Sequence, residues 1–373
     1  MRWDKVEFGK VLKYEQPTKY IVESTNYDNS YSIPVLTAGK SFILGYTNEK
    51  NGVFDNVPVI IFDDFTTATK FVDFPFKVKS SAMKILKSDE EKAEIKYLFY
   101  LMKIMKVDSE QHKRYWISKY SKIKIPLPPL STQKQIAEIL DTADALRQKT
   151  QKQLEALNEL AKSVFGEMFG DLGKNSKNWT EELIDDLVFG IVGGTSYGGE
   201  ERTLNEDELG VLKISAVTSG EFRPIFKAVK KNILKKELVT PKEGDILFSR
   251  ANTRELVAAT CIVDKDYDWL FLPDKLWRID LKKNKVNNYF FQFVLSDKKY
   301  RNKLTKKATG TSGSMLNISK KKLRNTLFPV PPLILQDQFS EIIKNINRQK
   351  QQIKEALKES EDLFNALLQE VFQ

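Results

Sequence analysis

The chain has 373 residues, 41% hydrophobic and 29% charged, the proportions of a soluble globular protein with room for two or three domains. Cys261 and His112 are the only residues of their kinds, which excludes an intrachain disulfide and any zinc site built from several Cys or His ligands. The net charge is +10, and no run of 18 apolar residues exists to span a membrane.

The chain opens Met1-Arg-Trp-Asp-Lys-Val-Glu7, with charges where a signal peptide needs its apolar core, so the expected compartment is the cytoplasm. Residues 1–125 read as a mixed domain of short strands. Residues 57–62 and 71–78 suit strands, and 93–105 has helical spacing. Thr37-Ala-Gly-Lys-Ser41 resembles the end of a phosphate-binding loop, but Pro34 stands where its first glycine should fall, so it reads as a turn. Asp63 and Asp64 follow a strand and are the nearest approach to a Mg²⁺ site, without clear partners. Polar loops carry Thr66, Thr67, Thr69 and Lys70, and further on Lys113, Arg114, Tyr115 and Trp116.

Residues 126–169 read as a turn followed by a long helix. Two prolines bar helix before Leu130, Thr132 and Gln135 have the spacing of a capping box, and Gly170 stops the helix. Residues 171–327 repeat the first pattern, with strands expected over 211–217 and 245–249 and a helix over 288–295. Cys261, inside an apolar run, reads as a core residue, and the glycine-rich 193–199 segment as a loop. Ser249, Arg250, Asn252, Thr253 and Arg254 follow a strand. Arg can pair bidentately with guanine and Asn with adenine, so this is groove chemistry. Residues 298–324 hold ten Lys or Arg and no acid, an attractor for a polyanion. Within them Lys306, Lys307, Thr309, Gly310, Thr311, Ser312 and Gly313 offer cations, small hydroxyls and bare backbone N–H groups to phosphates. No catalytic residue and no metal ligand is assigned, and a single histidine argues against a Ser-His-Asp arrangement.

Residues 329–372 copy 126–169 at a constant offset of 203, with 13 identities over 44 ungapped positions. The copies open Pro126-Leu-Pro-Pro-Leu130 and Pro329-Val-Pro-Pro-Leu333 and continue to Gln133, Gln135 and Gln336, Gln338. Each carries an apolar seam in alternating steps of four and three. Ile136, Leu140, Arg147, Leu154 and Leu157 mark the first seam, and Phe339, Ile343, Lys350, Leu357 and Phe364 the second. Both place a long cation at the fourth seam position (Arg147 and Lys350). The natural partner of each helix is the other, and an antiparallel pair would act as a spacer.

The Pro-Pro-Leu-x-x-Gln-x-x-Ile signature, followed by a helix ending Phe165-Gly-Glu-Met-Phe-Gly-Asp171, resembles the spacer region of specificity subunits of Type I restriction-modification systems. The resemblance covers the whole chain, although the second copy departs to Gln338-Phe339. It implies an α+β fold of two mixed α/β target recognition domains separated by two long antiparallel helices in a coiled coil, with pseudo-twofold symmetry. The expected segments are recognition domain 1 over 1–124, a first spacer helix over 125–170, recognition domain 2 over 171–327 and a second spacer helix over 328–373. It further implies a non-catalytic subunit of a prokaryotic cytoplasmic complex that reads a bipartite double-stranded DNA target. Its partners would be two methylation subunits modifying adenine N6 and two restriction subunits. S-adenosylmethionine, ATP and Mg²⁺ would belong to those partners. Two other readings stay open: a stand-alone basic DNA-binding scaffold and a single-chain nuclease. Salt-insensitive binding would favour an interaction scaffold whose basic faces are incidental, and cleavage by the purified chain with Mg²⁺ alone would favour the nuclease.

Overall fold

The computed structural model describes residues 3–37, 41–105, 115–306, 308–309 and 316–372. Most of the phosphate-loop look-alike, 38–40, therefore lies outside the described residues. By contact the chain divides into two units, residues 1–153 with 353–373, and residues 154–352.

The first unit is built on a four-stranded antiparallel sheet of Leu12–Glu15 (β1), Val59–Asp63 (β2), Thr69–Val72 (β3) and Met83–Ser88 (β4), in the order β1-β4-β2-β3. Strand β2 is buried along its whole length, which explains its unbroken apolar run. A three-stranded sheet joins Ile43–Thr47, Ile33–Leu36 and Lys77–Val78, the last pair parallel. A two-stranded ribbon of Lys5–Glu7 and Lys124–Pro126 closes the unit. Helix Ile95–Ile104 (α1) is capped by the Glu94 side chain, and the short helix Tyr115–Ser118 (α2) precedes the long helix Leu130–Phe169 (α3).

The second unit repeats this plan. Val188–Gly193 (β5), Ile246–Ser249 (β6), Thr260–Ile262 (β7) and Leu276–Leu281 (β8) pair in the order β5-β8-β6-β7, the same as in the first unit. Its three-stranded sheet again ends in a parallel pair, and its ribbon joins Glu181–Leu183 to Leu327–Pro329. Helices Asn288–Ser296 (α4) and Lys298–Thr305 (α5) precede Leu333–Phe372 (α6). Even the strand register agrees: Ile60 faces Leu86 where Ile246 faces Ile279.

Three expectations shift. The strand read over 71–78 is broken: Thr69–Val72 joins the four-stranded sheet and Lys77–Val78 the three-stranded one, with Pro75 between them unable to donate to a ladder. The strand read over 211–217 ends at Leu212 and gives way to a 3₁₀ turn over Ile214–Ala216. Helix α3 starts at Leu130, so Thr132 and Gln135 lie inside its first turns and form no capping box. Hydrogen bonding begins earlier because the Gln133 amide already donates to Pro129 O at 3.0 Å.

The seam falls where its spacing put it. In the first unit Leu140 is fully buried in one cluster with Phe364 and Leu368, and Ile136 and Ala143 pack on it. In the second unit Ala161, Phe165 and Phe169 share a cluster with Phe339, Ile343 and Ile346, and Leu157 packs on it. Leu154 and Leu357 are half-buried, as is Lys350. The head of each helix is therefore packed with the tail of the other, the antiparallel arrangement. Arg147 is held by Asp144 at 2.6 Å and lies over the Phe364 ring at 5.6 Å, so the fourth seam cation packs as well as pairs. Desolvation opposes ionisation of Asp144, but nearby Lys103, Gln148 and Arg147 outweigh it and hold its carboxyl below the usual range.

Phe165 lies 4.6 Å from Phe293, 5.2 Å from Phe169 and 5.3 Å from Phe339, ring centre to ring centre. Phe165→Ala should lose about 3–5 kcal/mol, the transfer and cavity cost of a buried ring. Urea unfolding followed by circular dichroism would measure it as a lowered midpoint.

Candidate nucleic-acid interface

Strand β6 delivers Ser249 and Arg250 to the edge of the second unit. Backbone bonds fix the turn there: the Arg250 amide donates to Lys275 O at 3.0 Å, and the Ile318 amide donates to Arg250 O at 2.8 Å. Ala251 pairs with Asn317, and Asn317 exchanges two 2.9 Å bonds with Thr309. The two polar segments singled out in this half, around Ser249–Arg254 and around Thr309, are thus joined through one short strand, Leu316–Asn317.

The Arg250 guanidinium lies 5.7 Å from the Trp277 ring centre, and Trp277 stacks on Phe248 with an interplanar angle of 11°. Among the described residues no carboxylate pairs with Arg250, and its Nε and the Ser249 Oγ are buried without a hydrogen-bond partner. A guanidinium braced on an aromatic face, with no acid to neutralise it, is preorganised to bind an anion or a base edge. Asn252 and Thr253 are half-buried, and Asn252 Oδ1 accepts from the Thr253 amide at 2.8 Å. Arg254, Lys306 and Thr309 are exposed. Lys307, Gly310, Thr311, Ser312 and Gly313 lie outside the described residues.

Trp277 and Lys320 were not singled out from the sequence. Lys320 lies 5.9 Å from the Trp277 ring centre and donates to Ile191 O at 2.6 Å, so the indole carries two cations. The acid-free basic run was the available signal for Lys320, and nothing in the spacing marked Trp277. Part of that run is neutralised from outside it: Lys299 pairs with Asp171 at 2.6 Å, and Arg324 with Asp185. Cys261 is buried, and desolvation pushes its thiol well up, as suits a core residue.

The equivalent edge of the first unit is built differently. After β2, Asp63 Oδ1 accepts from the Phe65 amide at 2.9 Å and Oδ2 from the Thr66 hydroxyl at 2.5 Å, while Thr67 takes a positive φ of 61°. Thr66 therefore spends its hydroxyl inside the turn. Phe65 and Lys70 are exposed, and Thr67 and Thr69 half-buried. Lys70 lies over the Phe42 ring at 5.8 Å. Tyr115 and Trp116, read as contact residues, are each only 2% exposed, and Trp116 meets Phe62 edge-on at 5.6 Å. They are core residues, because the Asp64 backbone and carboxylate hold both amides inward. Lys113 and Arg114 lie outside the described residues. Asp64 also pairs with Lys84 at 3.5 Å, both side chains buried. The oxygens of Asp63 and Asp64 are thus engaged by the turn, the Trp116 amide and Lys84. Lys84 occupies the register position of Trp277, opposite Phe62 as Trp277 is opposite Phe248. The same frame thus carries a buried ion pair in one half and an unneutralised arginine on an indole in the other.

Among the described residues no helix is long and apolar enough to cross a membrane. The family model of the Type I restriction modification DNA specificity domain matches residues 1–158 and 177–360, one match in each half. The chain is 33% identical to the specificity subunit of the Type I restriction enzyme EcoR124I/EcoR124II of Escherichia coli, over 94% of this chain and 88% of that one. It is 26% identical to the MjaVIII specificity subunit of Methanocaldococcus jannaschii, over 98% and 92%. A crystal structure of the S subunit of the Type I system from M. genitalium shares the fold with a TM-score of 0.68 at 15% identity, covering 100% of this chain and 96% of that one. Two recognition-type units, a matching domain in each and a third of the residues shared with a full-length relative make the conclusion direct: the chain belongs to the family of Type I restriction-modification specificity subunits, the non-catalytic component of such systems.

Proposed function

We propose that the chain reads a two-part DNA sequence, one half-site with each recognition domain, and that the paired helices set the unread gap between them. Recognition domains are assigned to 1–124 and 171–327, and spacer segments to 125–170 and 328–373. The observation that carries this is the duplicated frame: two units of one sheet topology, each containing the head of one 40-residue helix and the tail of the other. A helix advances about 1.5 Å per residue and B-DNA 3.4 Å per base pair, so helix length converts into base-pair spacing. In the second domain Arg250, Asn252, Thr253, Arg254, Lys306 and Thr309 face DNA, with Lys320 supporting Trp277. In the first, Phe65, Thr67, Thr69 and Lys70 hold the corresponding place.

The partners are two copies of a methylation subunit, which brings S-adenosylmethionine and modifies adenine N6. In restriction, two nuclease subunits that use ATP and Mg²⁺ join them. The complex works in the cytoplasm of a prokaryote. A repeated apolar surface supports the pair of methylation subunits. Ile139 (51% exposed) and Leu363 (55%) in the first unit recur, at the offset of 203, as Ile342 (38%) and Leu160 (48%) in the second. Leu146, at 53%, extends the first patch. Exposed apolar side chains at repeat-equivalent positions suit one partner bound twice.

Three measurements test this reading. Inserting one heptad into the 146–160 region of α3 and its counterpart in α6 should lengthen the preferred gap by about three base pairs. Methylation-site sequencing that returns an unchanged gap refutes the ruler. Arg250→Ala should cost roughly 1–3 kcal/mol and relax a single position of one half-site. Uniform weakening across all sequences would make Arg250 a phosphate contact. Ile139→Glu with Leu363→Glu should abolish co-purification of one methylation subunit of the two while the isolated chain stays folded by circular dichroism.

A further inference from the structure

Two glutamines make the same three bonds in the two halves. Gln133 is fully buried in the first turn of α3. Its Oε1 accepts from the Glu94 amide at 2.9 Å, and its Nε2 donates to Lys92 O at 3.0 Å and Pro128 O at 2.8 Å. Gln336 is fully buried at the equivalent place in α6. Its Oε1 accepts from the Asn287 amide at 3.0 Å, and its Nε2 donates to Pro331 O at 2.7 Å and Lys285 O at 3.4 Å. Glu94 and Asn287 are the N-caps of α1 and α4.

Each carboxamide therefore pins three backbone groups at one point: the cap of a domain helix, the chain two residues before it, and the proline turn that opens the spacer. Only a carboxamide supplies one acceptor and two donors in a plane. A carboxylate would face two carbonyl oxygens, and an apolar isostere would leave three backbone groups without this partner, the proline carbonyl buried among them. The surrounding contacts are not shared. In the first unit Lys96 and the Tyr100 hydroxyl bind Asp141, whereas in the second Lys344 lies over the Tyr289 ring and Asn287 Nδ2 donates to Asp337 at 2.8 Å. The glutamine bonds persist where their neighbourhood has been rebuilt.

We propose that Gln133 and Gln336 are positioning residues that lock the angle of each recognition domain on its spacer helix and so sharpen the discrimination between gap lengths. This rests on the ruler reading given above. A small domain is about 30 Å across, so a tilt of only about 6° at its base moves a recognition loop by one base-pair rise of 3.4 Å. Helix length alone cannot hold a gap to one base pair if that joint is loose.

The test uses the full chain with its methylation subunits. Half-sites and gap are first mapped by methylation sequencing, and methylation is then measured on duplexes whose gap is one base pair shorter, correct, or one longer. Gln133→Met and Gln336→Met should each cut the preference for the correct gap by roughly tenfold, the scale of a lost alignment constraint, with half-site sequences unchanged and the rate on the correct gap nearly kept. Gap preference as sharp as in the unaltered complex would overturn the proposal and leave the glutamines as local stabilisers. Gln133→Asn, which stays polar but is one methylene short, is made in parallel. If neither Met nor Asn gives a folded complex, the residue holds the fold rather than the angle, and the proposal fails. A complex with both glutamines intact that ignores gap length would instead sink the ruler reading itself.

Discussion

Neither 40-residue helix can keep its apolar stripe out of water alone. The stripe is narrow, two positions in seven, and the opposite faces are densely charged, so a single helix would have no core to join. Each finds cover along the other's seam and against the domain beside it: Leu140 with Phe364 and Leu368 in one unit, Phe165 and Phe169 with Phe339 in the other. Antiparallel pairing follows from the same need, because each helix leaves the domain it starts from and must end beside the other one's origin. The aromatic cluster around Phe165 fills the seam in the second unit, while the half-buried Arg147 and Lys350 at the fourth positions disfavour a slipped register.

The repeat made most of this frame legible in the sequence. A constant offset of 203 with identical punctuation fixed two modules, and the steps of four and three placed every described seam residue at a buried or half-buried position. Turn chemistry was less legible. Gln133 stood out as a motif letter, but its bonds depend on a chain segment some forty residues away, which no local spacing encodes. Thr132 and Gln135 had the pattern of a helix cap, yet the proline turn had already begun the helix.

Burial separated the contact residues that composition alone had grouped. Tyr115 and Trp116 follow cations in a polar stretch and so read as DNA-facing, but the Asp64 carboxylate and carbonyl draw both inward. Ser249 likewise opens a polar run with its hydroxyl sealed in. Arg250 lies over an indole that its own sequence neighbourhood does not announce, Trp277 on the adjacent strand. The two halves thus carry different chemistry on one frame, a buried Asp64–Lys84 pair in the first and Arg250 on the Trp277 indole in the second.

The glutamine contacts differ in one respect, the length of chain they close. From Glu94 to Gln133 the loop spans 39 residues, and from Asn287 to Gln336 it spans 49. Closure entropy rises only with the logarithm of length, so the ten additional residues cost about 0.2 kcal/mol. The stretch between cap and glutamine can therefore grow or shrink almost freely while the anchor it returns to stays the same.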